Sequence, residues 1–85
     1  MPRRRRSRVE VIRDILHEAR NGTNKTRIMY RSNLNFACFN RYFEELIKKG
    51  LIVEVESNPD GTKIYKTSEK GLQLLEVLER ADELI

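Results

Sequence analysis

Apolar residues recur along this chain first at helical spacing, then in alternation, then at helical spacing again. Val9, Ile12, Leu16 and Ala19, joined by Ile15, fall on one stripe of a helix from about Arg8 to Arg20. Ser7 stands three residues before Glu10, the spacing of a capping box. Asn21-Gly22 stops the helix, because glycine takes the left-handed cap position cheaply. Thr23 or Asn24 then caps a second helix through about Arg31, with Ile28 and Met29 inward and Lys25, Arg27 and Arg31 outward. Ser32-Asn33-Leu34-Asn35 is turn chemistry with Leu34 as the plug beneath it, and Asn35 caps a third helix, Phe36 to Lys49, closed by Gly50.

On the third helix, Phe36, Phe39, Tyr42, Phe43, Leu46 and Ile47 share one face at about 100° per residue. Ala37, Arg41, Glu44 and Lys48 lie opposite, with Cys38 and Asn40 on the flanks. Leu51 to Glu56 alternates, Leu51, Val53 and Val55 on one side and Ile52, Glu54 and Glu56 on the other, which is strand periodicity. Asn58-Pro59-Asp60-Gly61 is a turn, and Thr62 to Lys66 returns as a second strand with Ile64 inward. Thr67 or Ser68 caps a last helix from Glu69 onward. In it Leu74, Leu78, Ala81 and Ile85 have coiled-coil spacing, and Leu72, Leu75, Val77 and Leu84 widen the apolar surface. A helix apolar on more than one side has two surfaces to bury. A small domain offers one, so a partner helix is expected, with Leu74, Val77, Leu78, Ala81, Leu84 and Ile85 at the interface.

Two helices joined by so tight a turn must cross, and the second is presented outward. With the hairpin behind it, the pattern is an α+β, mainly α, winged helix-turn-helix: a three-helix core, a β-hairpin wing and a C-terminal dimerisation helix. Residues 1–7 are expected as a flexible basic arm, 8–67 as a winged-helix DNA-binding domain and 68–85 as the dimer helix.

Charge sharpens this picture. Residues 1–50 hold 13 Lys/Arg against 5 Asp/Glu, while residues 51–85 hold 4 against 8, within a net charge of +4. A basic front and an acidic back suit one polyanion-facing surface, or else a solubilising one. Cys38 is the only cysteine and cannot form an internal disulfide, and His17 has no metal-ligand or nucleophile partner in the pattern. No cofactor, metal or membrane span is expected, and a cytoplasmic, nucleoid-associated location fits. Neither a glycine-rich phosphate loop nor a catalytic constellation is present, so an enzyme is not expected.

Asn35, Asn40 and Arg41 are candidates for base edges, since Asn and Arg can pair with adenine and guanine respectively; Asn35 also reads as a helix cap and Arg41 as a partner for Glu44 or Glu45. Ala37 lies between them on the outer face. Lys25, Arg27 and Arg31, with Ser32 and Asn33 of the turn and Lys63 of the wing, are candidates for phosphates. Arg3, Arg4, Arg5 and Arg6 can enter a minor groove or remain a nonspecific tail. Asp60 beside Lys63 marks the wing tip as turn chemistry. A protein–protein module and an RNA-binding domain remain the rival functions.

The stretch KTRIMYRSNLNFACFNRYFEELIKKGLI followed by YKTSEKG resembles the archaeal winged-helix DNA-binding proteins typified by the ten-kilodalton "a" protein of Sulfolobus. The resemblance covers about Arg8 to Leu75. KTRIMY, the LN before the third helix and KGLI carry it; the Y-x-T-x-x-x-G element at Tyr65, Thr67 and Gly71 is shared more widely among winged helices. It implies DNA binding without catalysis, and dimerisation through an antiparallel coiled coil of the final helices. Here that helix has only about 17 residues, roughly 25 Å.

Overall fold

Each helix begins where a side-chain oxygen meets a free backbone amide. The computed structural model describes residues 6–84, the side chains of 82–84 excepted. Ser7 Oγ accepts from the Glu10 amide at the head of α1, Arg8–Ala19. Asn24 Oδ1 accepts from the Arg27 amide at the head of α2, Lys25–Arg31, and Asn35 Oδ1 from the Cys38 amide at the head of α3, Phe36–Lys48. Ser68 Oγ does the same for the Gly71 amide near the start of α4, Glu69–Leu84. Such caps satisfy amides that a helix leaves without partners.

Between the helices run β1, Thr23–Asn24, and the hairpin of β2, Ile52–Val55, and β3, Ile64–Thr67. All pair antiparallel in the order β1-β3-β2. β1 is an element the sequence pattern did not suggest. Thr23 pairs with Tyr65 and Asn24 with Ile64, so Asn24 serves the sheet with its backbone and caps α2 with its side chain. A two-residue strand has no periodicity to read.

The core gathers Val11, Ile15, Leu16 and Ala19 of α1, Ile28 of α2, Phe39, Phe43 and Leu46 of α3, Leu51, Ile52 and Leu75. Phe39 stacks on Phe43, and Phe43 meets the Tyr65 ring edge-on, each with centroids 5.0 Å apart. Three expectations change. Val9 is 54% exposed and Val11 is buried in its stead, because the first turn of α1 extends past the core. Phe36, at the first position of α3, is 67% exposed for the same reason. Along the first arm of the hairpin the buried residues are the consecutive Leu51 and Ile52, whereas Val53 and Val55 are over a third exposed. Only the root of β2 lies over the core, so alternation beyond it has no interior to face.

The root of the wing is held by residues of the Y-x-T-x-x-x-G element. Thr67, itself buried, donates its hydroxyl to the Leu16 carbonyl at 2.7 Å, tying β3 to α1. Ser68 donates through its amide to the Leu51 carbonyl and through its hydroxyl to the Gly50 carbonyl. Gly71 then lies against that Leu51 carbonyl so closely that a Cβ would overlap its oxygen and stand 2.6 Å from Thr67 Cγ2. Both neighbours are fixed. Gly71→Ala is therefore expected to lower unfolding free energy by about 1–3 kcal/mol in urea titration, the usual cost of overpacking. An unchanged midpoint would show that α4 can move away without loss.

Candidate nucleic-acid interface

The turn between α2 and α3 decides which side chains face outward. Asn33 takes φ of +56°, a left-handed conformation that asparagine tolerates, and thereby reverses the chain within four residues. Arg6 braces this turn. Its guanidinium donates to Asp14 Oδ2 at 2.8 Å and to the Asn33 carbonyl at 2.9 Å, linking the start of the domain, α1 and the turn. Arg6 is thus held by the fold and does not belong to a free arm, which corrects its expected role and the boundary at residue 7. Arg3, Arg4 and Arg5 lie outside the described residues.

Ser32 is a second correction. It is buried, and its Oγ has no hydrogen-bond partner among the described residues, so it offers nothing to a ligand. It follows the last residue of α2, where the chain turns inward to seat Leu34.

Phosphate candidates separate into free and engaged. The Arg27 and Arg31 side chains are exposed and make no ion pair or hydrogen bond among the described residues. They border a polar cleft of about 330 Å³ completed by the end of α1 and by β1. Lys25 is engaged: its Nζ donates to Asn40 Oδ1 at 2.6 Å and lies 5.4 Å over the Phe43 ring. That bond anchors Asn40, one of the base-edge candidates, to α2. Between the start of α2 and the wing runs a shallow groove of about 540 Å³, lined by Asn24, Lys25, Thr26, Thr62, Lys63 and Tyr65. Lys63 is exposed there, with its Nζ 3.9 Å from Glu54, too long for a close ion pair.

On α3, Ala37 and Arg41 are exposed. The Arg41 guanidinium sits 5.6 Å from the Tyr42 ring centroid and has no carboxylate partner among the described residues. The expected partner Glu45 is taken by Arg8 of α1 and by Lys49, 3.0 Å away. Hydrogen bonds from Lys49, then Arg8, hold the Glu45 carboxyl below its ordinary pKa. Asn35 is exposed but spends its Oδ1 on the cap, and Asn33 is exposed with its carbonyl taken by Arg6. At the wing tip, the Asp60 carboxylate accepts from the Thr62 amide at 2.9 Å, which lowers its pKa and closes the turn. The tip is turn chemistry, as the sequence suggests.

The candidates thus fall in three places: Lys25 and Lys63 share the groove beside the wing, Arg27 and Arg31 border the cleft at the end of α1, and Arg41 lies near Asn35 and Tyr42 on α3. Two aromatic side chains were not foreseen as exposed, Phe36 and Tyr30, the latter 74% exposed. The signal for Phe36 was available. A residue directly after a helix cap has little core beneath it.

On α4, Leu75 is buried in the domain's own core and Leu74 packs against it, with Leu78 half-buried. Val77, 61% exposed, Ala81 and Leu72 remain uncovered. The Leu84 side chain and Ile85 lie outside the described residues. No helix among the described residues is long and apolar enough to cross a membrane.

Comparison with known proteins agrees with this geometry. A family model described as winged helix-turn-helix matches residues 5–85. MJ0287, an uncharacterised protein of Methanocaldococcus jannaschii, is 37% identical over 78 residues, spanning 89% of this chain and 80% of that protein. The crystal structure of Sso10a-2, a DNA-binding protein from Sulfolobus solfataricus, superposes with a TM-score of 0.80 at 28% identity, over 93% of this chain and 81% of that one. A MarR family transcriptional regulator from Silicibacter pomeroyi, SPO1453, matches at TM-score 0.68 and 19% identity, over 91% of this chain but 55% of its own, a likeness of fold alone.

Because the Ser32 hydroxyl is buried and unbonded, Ser32→Ala is expected to leave the unfolding free energy unchanged or raise it by about 1 kcal/mol. A loss larger than about 1 kcal/mol in urea titration would mean that the hydroxyl has a partner in solution.

Proposed function

The chain belongs to the winged helix-turn-helix family, and from that premise we propose that it binds double-stranded DNA, as a transcriptional regulator or a chromatin-type protein. The role is one of binding, not catalysis. The observation that carries the proposal is that the side chains of Arg27, Arg31 and Arg41, on the two helices of the helix-turn-helix, are exposed and without carboxylate partners among the described residues. Exposed cations left unpaired on a helix-turn-helix fit a phosphate backbone on either side of a major groove. In this arrangement α3 enters the groove, Arg27 and Arg31 hold one strand, and Lys63 on the wing approaches the other. The similarity to Sso10a-2, itself a DNA-binding protein, supports the same function.

The face available for reading bases is narrow. Ala37, Asn40 and Arg41 occupy it, and Glu44 follows on the same side one turn later, where its charge repels phosphate. Affinity therefore comes mostly from phosphates, with modest sequence preference, and a protein so engaged would work at the nucleoid.

The uncovered Val77 and Ala81, four residues apart on one face of α4, support the further proposal that α4 joins two copies of the chain. A dimer would present two α3 helices roughly 34 Å apart, one duplex turn.

Electrophoretic mobility shift across a salt series tests DNA binding. Neutralising about four phosphates per protomer gives a slope of roughly −3 to −4 in log K against log salt. No shift at low salt would end the proposal, and stronger binding to duplex RNA or single strands would redirect it. Arg41→Ala is expected to weaken duplex binding by about 1–3 kcal/mol if the guanidinium reads a base. Unchanged affinity at fixed salt would remove Arg41 from the interface. For the dimer, sedimentation equilibrium should give twice the chain mass, and Val77→Glu, at an exposed position, should shift it toward the monomer. A monomer mass at every concentration would refute the pairing.

A further inference from the structure

Phe36 and Asn40 stand four residues apart on α3, one turn above the other on the edge nearest α2. A single exposed apolar side chain is ordinary on a protein surface. This one has a particular setting. Its ring stands at the outward end of the helix and opens on a notch of about 90 Å³ whose other walls are Lys25, Thr26, Met29 and Phe39. The notch is small and largely apolar, with room for a group the size of a methyl.

Asn40 supplies the second half of the pattern. Its Oδ1 accepts a hydrogen bond from Lys25 Nζ at 2.6 Å, which turns the amide so that its Nδ2 donors are the free end. The exposed edge therefore offers, side by side, an apolar seat and a hydrogen-bond donor. In the major groove, thymine presents a C5 methyl beside the O4 acceptor; cytosine has a donor at that place, and neither purine carries a methyl.

We propose that Phe36 and Asn40 form a thymine-reading pair, the C5 methyl packing on the Phe36 ring at the notch and Asn40 Nδ2 donating to O4. This deepens the DNA-binding proposal and rests on α3 entering the major groove. It also changes what Asn40 reads: with Oδ1 held by Lys25, its outward group suits an acceptor and not the paired donor and acceptor of adenine.

Replacing thymine by uracil removes the methyl and keeps O4. Fluorescence anisotropy at fixed, low salt would compare an A·T-rich duplex with the same duplex carrying uracil at every thymine, for the wild-type chain and for Phe36→Ala. The wild type is expected to bind the uracil duplex about fourfold more weakly for each methyl contacted, the burial free energy of one such group. Phe36→Ala is expected to bind the two duplexes equally, with an unchanged circular dichroism spectrum and thermal midpoint, since the ring is exposed. Equal wild-type affinity for both duplexes would overturn the pair. So would a discrimination that Phe36→Ala retains, because it would come from duplex shape and not from the ring. Failure of the wild type to bind either duplex would instead overturn DNA binding itself, and the pair with it.

Discussion

Where α4 passes the root of the hairpin, Gly71 stands against the Leu51 carbonyl with no room for a methyl group between them. That closeness lets Ser68 reach the carbonyls of Leu51 and Gly50, and it sets β3 where Thr67 can bond to Leu16 of α1. One crowded corner thus joins the end of α3, the wing, α1 and α4. The angle at which α3 leaves the core and the wing stands beside it both follow. The interface is only as well placed as this corner is tight, because the short sheet has little other support.

From that corner outward, α3 divides its residues between two tasks. Phe39, Phe43 and Leu46 fill the core, and the aromatic contacts among Phe39, Phe43 and Tyr65 fix the rotation of the helix. Rotation then determines that Ala37, Asn40 and Arg41 point away. Lys25 joins the two tasks, its ammonium standing over the buried Phe43 ring and bonded to Asn40. Arg8 and Lys49 draw Glu45 aside on the flank, leaving Arg41 without a carboxylate partner among the described residues. The pairing of some charges is what leaves others available.

Helices and caps were legible from spacing alone. Asn24 and Asn35 each stand where a polar side chain precedes an amphipathic run, and the structure uses both. The turn at Asn33 and the wing could be read for the same reason: local chemistry decides them. What could not be read depends on where the core stops. Val9 and Phe36 fit their helical stripes, yet each lies in a first turn that extends beyond the interior. Val53 and Val55 alternate as a half-buried strand should, but the wing projects from the domain. Arg6 belonged by composition to a mobile arm; its bonds to Asp14 and Asn33 come from residues 8 and 27 positions away, a separation no local pattern reveals. Ser32 looked like an exposed turn residue because turns usually are exposed.

The central claim is that one face, made of α2, the start of α3 and the wing, meets duplex DNA. Titrating a short DNA duplex into isotopically labelled protein, with amide resonances followed by NMR, tests it most directly. Shifts should concentrate at residues 25–31, 36–41 and 63, leaving the exposed side of α4 unmoved. Shifts confined to α4, or none at saturating duplex, would contradict it.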